Sequence, residues 1–369
     1  MIQSRWSEYY LDHQYEDFWR RRLGDQYASV CLILGVGFDP RSLVTLERIS
    51  RCGTPGQLGY MAMLLCPSAN SKRETQKIEA FTTNNRQRLA TVTNGKCIEC
   101  REVDLRDESG YVVGGRKAVD LLHAHLEEIA EYRDVVVDIS ALPRTLFFPI
   151  IAFLCKQADL GRIRNLHVAV TEDPAVDGKI RGSEYGDADY IPHFRLERPK
   201  KIIWLPVIGK NEKERLEKIH DLLESDCIEV CPILPFPAKN LRRADDLLVQ
   251  LKEVLFERIF VSKTNIILCD ERTPFDIYRH IVRIDTYYHK QLQSLPGYGE
   301  ITTVISPLAN KMLSLGALLA AIERKLPVSY VEASVYEIET GDAIWTASQS
   351  DSVTSEVWLA GEPYESTLT

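Results

Sequence analysis

Ile139-Ser140-Ala141-Leu142-Pro143-Arg144 and, farther along, Ile305-Ser306-Pro307-Leu308-Ala309-Asn310-Lys311 are two versions of one junction. Each closes an apolar run of strand length and opens an apolar run of helix length, and the second carries one inserted residue. A strand that passes through a short polar loop into an apolar helix is the first half of a βαβ unit, in which parallel strands are covered by helices.

The similarity extends outward from these junctions. Leu34-Gly35-Val36-Gly37 leads to Leu46-Glu47-Arg48-Ile49, as Val207-Ile208-Gly209 leads to Leu216-Glu217-Lys218-Ile219. Pro67-Ser68-Ala69-Asn70-Ser71-Lys72-Arg73 has its counterpart in Pro237-Ala238-Lys239-Asn240-Leu241-Arg242-Arg243. Three matches in the same order predict an internal duplication. Ten β-rich runs alternate with helical periodicity: Ser29–Leu34, Gly59–Cys66, Cys97–Val103, Val135–Ile139, Leu166–Val170, Ile202–Val207, Ile228–Leu234, Asn265–Cys269, Thr302–Ile305 and Val328–Val331. The predicted class is α/β, with two Rossmann-like parallel-sheet domains packed as a pseudo-dimer and equivalent loops facing a cleft between the halves.

Domain boundaries follow from composition. Residues 1–28 hold Trp6, Tyr9, Tyr10, Tyr15, Phe18, Trp19 and Tyr27 and read as an aromatic-rich helical segment, packed on its own domain or serving as a docking arm. The first domain is expected over 29–198 and the second over 199–345, joined near Arg195–Lys201. Residues 346–369, with Asp351, Glu356, Glu362 and Glu365 but no Lys or Arg, read as a flexible acidic tail.

The 369 residues are 45% hydrophobic and 27% charged, an ordinary globular composition that excludes global disorder. Forty-five basic against 53 acidic residues give a net charge of −8, which excludes a wholesale basic coat for nucleic acid and leaves room for a local basic cleft. The longest apolar run, Leu142–Cys155, is interrupted by Pro143, Arg144 and Pro149 and falls short of the ~18 residues of a membrane span. With no signal-like start, the expectation is a cytoplasmic protein without a membrane partner. Nine cysteines, an odd number, several of them in strand-like runs, read as reduced thiols. Cys97-Ile98-Glu99-Cys100 has metal-ligand spacing, but no second pair lies nearby to complete four ligands, and no metal is expected.

The matched segments all follow strands, the edge of a parallel sheet where ligands bind. Gly35 and Gly37 allow a sharp turn or a close backbone approach, and Asp39 and Arg41 follow them. The third glycine of a dinucleotide fingerprint is absent, so no cofactor is expected. Ser140 and Ser306 suit a helix cap or a ligand hydrogen bond. Arg144 and Lys311 oppose a helix dipole unless an anion lies between. Together with Lys72, Arg73, Lys210, Arg242 and Arg243, and with Asn70, Asn240 and Asn310 adding hydrogen bonds, they form a candidate phosphate site. Solvated surface cations are the plainer alternative. For a hydrolase of phosphodiester or glycosidic bonds, the acid-base candidates are Asp138 and Asp39.

The segment Ile305–Leu319, followed by Pro327-Val328-Ser329-Tyr330-Val331-Glu332, resembles the final βαβ unit of CRISPR-associated Rossmann-fold (CARF) domains. In that family a Gly-Gly-Thr-Lys-type loop opens a small-residue helix that leads to a strand reading like Tyr-Val-Asp. Lys311 and Tyr330-Val331-Glu332 match, whereas Leu308-Ala309 stand in place of the glycine pair. The related SAVED domains fuse two such units in one chain. The resemblance implies a sensor of a nucleotide or cyclic oligonucleotide, as in prokaryotic antiviral defence, that signals to a protein effector partner. It favours a sensor over an enzyme, and a homo-oligomer is compatible with it. An interaction subunit with a vestigial cleft is a third reading.

Overall fold

The computed structural model describes residues 5–66, 76–92, 95–173, 176, 179–198, 200–292, 295, 300–338 and 352–365. In chain order the first elements are β1 (Tyr9–Tyr10), α1 (Asp12–Leu23), β2 (Val30–Val36), α2 (Val44–Ser50), β3 (Leu58–Cys66), α3 (Gln76–Val92) and β4 (Lys96–Asp104). There follow α4 (Gly114–Ala124), α5 (Leu126–Ala130), β5 (Asp134–Asp138), α6 (Arg144–Asp159), β6 (Asn165–Glu172), β7 (Ile180–Tyr185), β8 (Asp189–Tyr190) and β9 (Lys201–Val207). Next come α7 (Lys213–Leu223), β10 (Cys227–Val230), β11 (Ile233–Pro235), α8 (Arg243–Gln250), β12 (Ile267–Cys269) and α9 (Pro274–Leu292). The chain closes with β13 (Ile301–Pro307), α10 (Lys311–Arg324), β14 (Ser329–Tyr330), β15 (Ala333–Ile338), β16 (Val353–Ala360) and α11 (Glu362–Glu365). Each of the ten β-rich runs overlaps a strand, and the class is α/β.

The chain divides into a larger unit, Trp6–Glu184 with Ser334–Thr369, and a smaller one, Met1–Arg5 with Tyr185–Ala333. In the larger unit β2 is buried at all its positions, as a strand covered on both faces must be. Its sheet runs β1-β16-β6-β5-β2-β3-β4, with β2 to β6 parallel. In the smaller unit Ile202 pairs with both Cys227 and Thr302, so β9 is central, with β10 and β11 along one edge and β13 along the other. β12 continues parallel beyond β11, and an Ile305 to Val328 bridge leads from β13 to β14. In each unit the first parallel strand lies in the middle, the second and third on one side, and the fourth and fifth on the other.

Of the two readings of the N-terminal segment, the structure has the packed helix: Tyr15, Phe18, Trp19 and Leu23 of α1 are buried, and the buried Trp6 indole donates to the Leu359 carbonyl at 2.9 Å. The expectation of a flexible acidic tail is corrected over its described residues, where Val353–Ala360 form β16, paired antiparallel with β6. Two of its acids, Glu356 and Glu362, have buried partners. His167, wholly buried, stands 2.9 Å from Glu356 and 3.1 Å from Asp134, while Arg22 meets Asp134 at 2.7 Å and Glu362 at 3.1 Å. The Trp19 indole donates to Glu356 at 2.9 Å. Burial alone would lower the His167 pKa, but the Glu356 and Asp134 carboxylates outweigh it and raise it. The first unit therefore closes with the C-terminal strand, and the expected boundaries at 28/29, 198/199 and 345/346 give way to 5/6, 184/185 and 333/334.

Candidate functional site

In an open parallel sheet the connections leave in opposite directions from two neighbouring strands, and the loops at their carboxyl ends bound a crevice. Here those strands are β2 and β5 in the larger unit and β9 and β13 in the smaller. The loops singled out in the sequence flank both switch points: Gly35–Arg41 with Ile139–Arg144, and Ile208–Glu212 with Leu308–Lys311.

Gly35 lets the loops approach closely, since a Cβ there would come within 2.6 Å of the side-chain atom Leu142 Cδ2. Gly37 has no such neighbour closer than 3.6 Å. The buried Asn85 carboxamide donates to the carbonyls of Gly37 at 2.8 Å and Asp39 at 2.9 Å, holding the loop. Asp39 accepts from the Arg41 backbone N–H at 2.9 Å and grips its guanidinium at 2.9 and 2.7 Å. The two charges of this loop are thus paired with each other.

Asp138 ends β5 and is 2% exposed. One carboxylate oxygen accepts the Ser140 N–H at 2.9 Å and the Ser140 hydroxyl, and Ser140 Oγ in turn accepts the Thr171 N–H of β6 at 2.7 Å. Burial raises the Asp138 pKa to about 6 against the opposing Ser140 bonds. A chain of hydroxyls lies alongside, Thr45 to Thr171 at 3.5 Å and Thr171 to Thr354 at 2.9 Å. Thr354 belongs to β16 and was out of reach of a reading that made 346–369 mobile.

The smaller unit repeats this plan with other groups. A Cβ on Gly209 would lie 2.5 Å from the Leu308 carbonyl oxygen. Ser306 is fully buried, accepts the Trp204 indole N–H at 2.8 Å and meets Ser329 Oγ at 2.8 Å. Neither Ser140 nor Ser306 caps a helix or reaches solvent: α6 begins after Pro143 without a side-chain cap, and Asn310 Oδ1 caps α10 by accepting the Leu313 N–H at 2.9 Å. Tyr330, part of the CARF-like stretch, has its ring 5.3 Å from the Arg215 guanidinium, which also lies 4.5 Å over Tyr185 and bonds Glu212 at 3.1 Å.

The basic residues divide as follows. Arg144 is the first residue of α6 and Lys311 the first of α10, both half-buried beside the switch points. Lys210 is exposed after β9. Asn240 accepts the Arg242 N–H at 3.0 Å in a turn that opens α8, with Arg242 exposed and Arg243 half-buried. Asn70, Lys72 and Arg73 lie outside the described residues.

No family model matches the chain, and no curated protein matches it. Among solved structures, the cytoplasmic domain of a prokaryotic cation chloride cotransporter aligns over 83% of this chain and 96% of its own, at 13% identity and a TM-score of 0.21. A likeness of that quality carries no argument about fold or function. Among the described residues no helix is long and apolar enough to cross a membrane.

Proposed function

We propose that the chain is a duplicated, Rossmann-like nucleotide- or oligonucleotide-binding protein, a sensor subunit that takes its ligand's phosphates at the carboxyl edges of its parallel sheets and signals to a protein partner, as in antiviral defence. The observation that carries this reading is the recurrence of one arrangement: in each unit a cation, Arg144 or Lys311, opens the helix that leaves the switch point. A bound anion satisfies the cation and the helix amides together. The paired positions of Gly35 with Leu142 and Gly209 with Leu308 support the duplication. The burial of Asp138 under Ser140 favours binding over hydrolysis, since a general acid must reach its substrate.

Calorimetry against mononucleotides, dinucleotides and cyclic oligonucleotides tests the proposal. The expected result is binding that weakens at least tenfold in Arg144→Ala/Lys311→Ala. Unchanged affinity in that variant overturns the site, and turnover of the nucleotide that is lost in Asp138→Asn replaces the sensor with a hydrolase.

A further inference from the structure

We propose that Cys97 and Cys100 form a binding site for a thiophilic d10 cation of the Zn2+ type on the outer edge of the larger unit's sheet. β4 is the terminal strand of that sheet. In a regular strand, residues three apart point to opposite faces. Here the register slips: Tyr60 stands opposite Cys97, Met61 opposite Glu99 and Ala62 opposite Cys100, leaving Ile98 as an extra residue. The bulge turns what would be opposed side chains onto one face, the re-aiming for which bulges are used. Cys97 and Cys100 are the two exposed cysteines of the chain, the other seven being buried or intermediate.

Two same-face positions separated by two registers are about 6.6 Å apart along the strand. Side chains that leave in parallel at that separation suit a disulfide poorly, because its Cβ atoms approach to about 4 Å. They suit a shared cation well: two metal–sulfur bonds of about 2.3 Å in tetrahedral geometry set the sulfurs about 3.8 Å apart, within reach of χ1 rotation. Binding takes the form of two thiols plus M2+ giving a bis-thiolate complex and two protons, with water completing the coordination. The neighbouring charges are paired among themselves, Glu99 with Arg101 at 3.0 Å and with His125 at 3.3 Å, and Arg86 with Glu102 at 3.3 Å.

The test uses the reduced full-length chain titrated with Cd2+ as a spectroscopic probe and Zn2+ as competitor. One Cd2+ per chain is expected, with a thiolate-to-metal charge-transfer band of two-thiolate amplitude that Zn2+ displaces. Cys97→Ser and Cys100→Ser should each weaken binding at least tenfold, with Cys52→Ser as an unaffected control. Zn2+ should also protect Cys97 and Cys100 from iodoacetamide in the native protein, and a chelator should restore labelling. Absence of the band, a band that survives in both serine variants, or labelling indifferent to Zn2+ overturns the site.

Discussion

At the larger unit's switch point Gly35 faces a leucine side chain, that of Leu142; at the smaller unit's, Gly209 faces the backbone carbonyl of Leu308. Ser140 ties its loop to the fifth parallel strand through the Thr171 amide, and Ser306 ties its own through Ser329. The residue before the junction differs in kind: Asp138 ends β5 as a buried acid, and Val304 occupies the matching place in β13. What recurs in both units is a glycine that lets the two loops touch and a buried hydroxyl stapling the fourth crossover to the fifth strand. What varies is the residue that precedes the junction, an acid in the larger unit and a valine in the smaller.

The glycines give the sharpest test of that comparison. Gly209→Ala should cost about 3 kcal/mol because the atoms in its way are the backbone of Leu308 and Ala309, while Gly35→Ala should cost nearer 1 kcal/mol because Leu142 can change rotamer. Urea denaturation of the two variants measures the difference, and equal losses would show the two contacts to be equally rigid. Asp138 comes next. Its pKa is raised in the folded state from 3.8 to about 6, so its contribution to stability is fully present below pH 3.8 and lost as pH rises through about 6. Wild type should therefore lose about 2 to 3 kcal/mol from this group between about pH 4 and pH 7, and Asp138→Asn should flatten that slope. The same titration of Ser306→Ala should show the wild-type slope, since its hydroxyl bonds Trp204 and Ser329 and no acid. The hydroxyls come last. Ser140→Ala strands the Thr171 amide beside a buried carboxylate and should cost about 2 kcal/mol, against about 1 kcal/mol for Ser306→Ala, where Ser329 remains to turn toward the Trp204 indole. Thermal melts at pH 7 rank the pair, and the reverse order would mean that the aromatic donor, not the acid, is the demanding partner.

Much of the architecture was legible in the chain. The ten apolar runs carry their strand character in local composition, and glycine, proline and polar loops mark where they end. The switch-point loops were legible for the same reason, since each junction sits within a few residues of its strand. The roles of their side chains were not. Ser140 and Ser306 read equally as caps, ligands or staples until Thr171 and Ser329, some 31 and 23 positions onward, are set beside them. Asp39 and Arg41, two residues apart, read as binding groups because a sequence shows charges without showing that they neutralise each other.

The sequence by itself determined the class, the succession of strands and helices and the places where crossovers begin, because these depend on periodicity and turn chemistry within short windows. The tertiary structure decided which distant segments close each unit. β16 joins β6 from about 180 residues away, and only that pairing brings Glu356 to His167 and Trp19, turning an acidic stretch into an interior strand. The bulge at Ile98 likewise exists only relative to β3. Burial and register are relations between segments, and a linear chain records the segments without the relations.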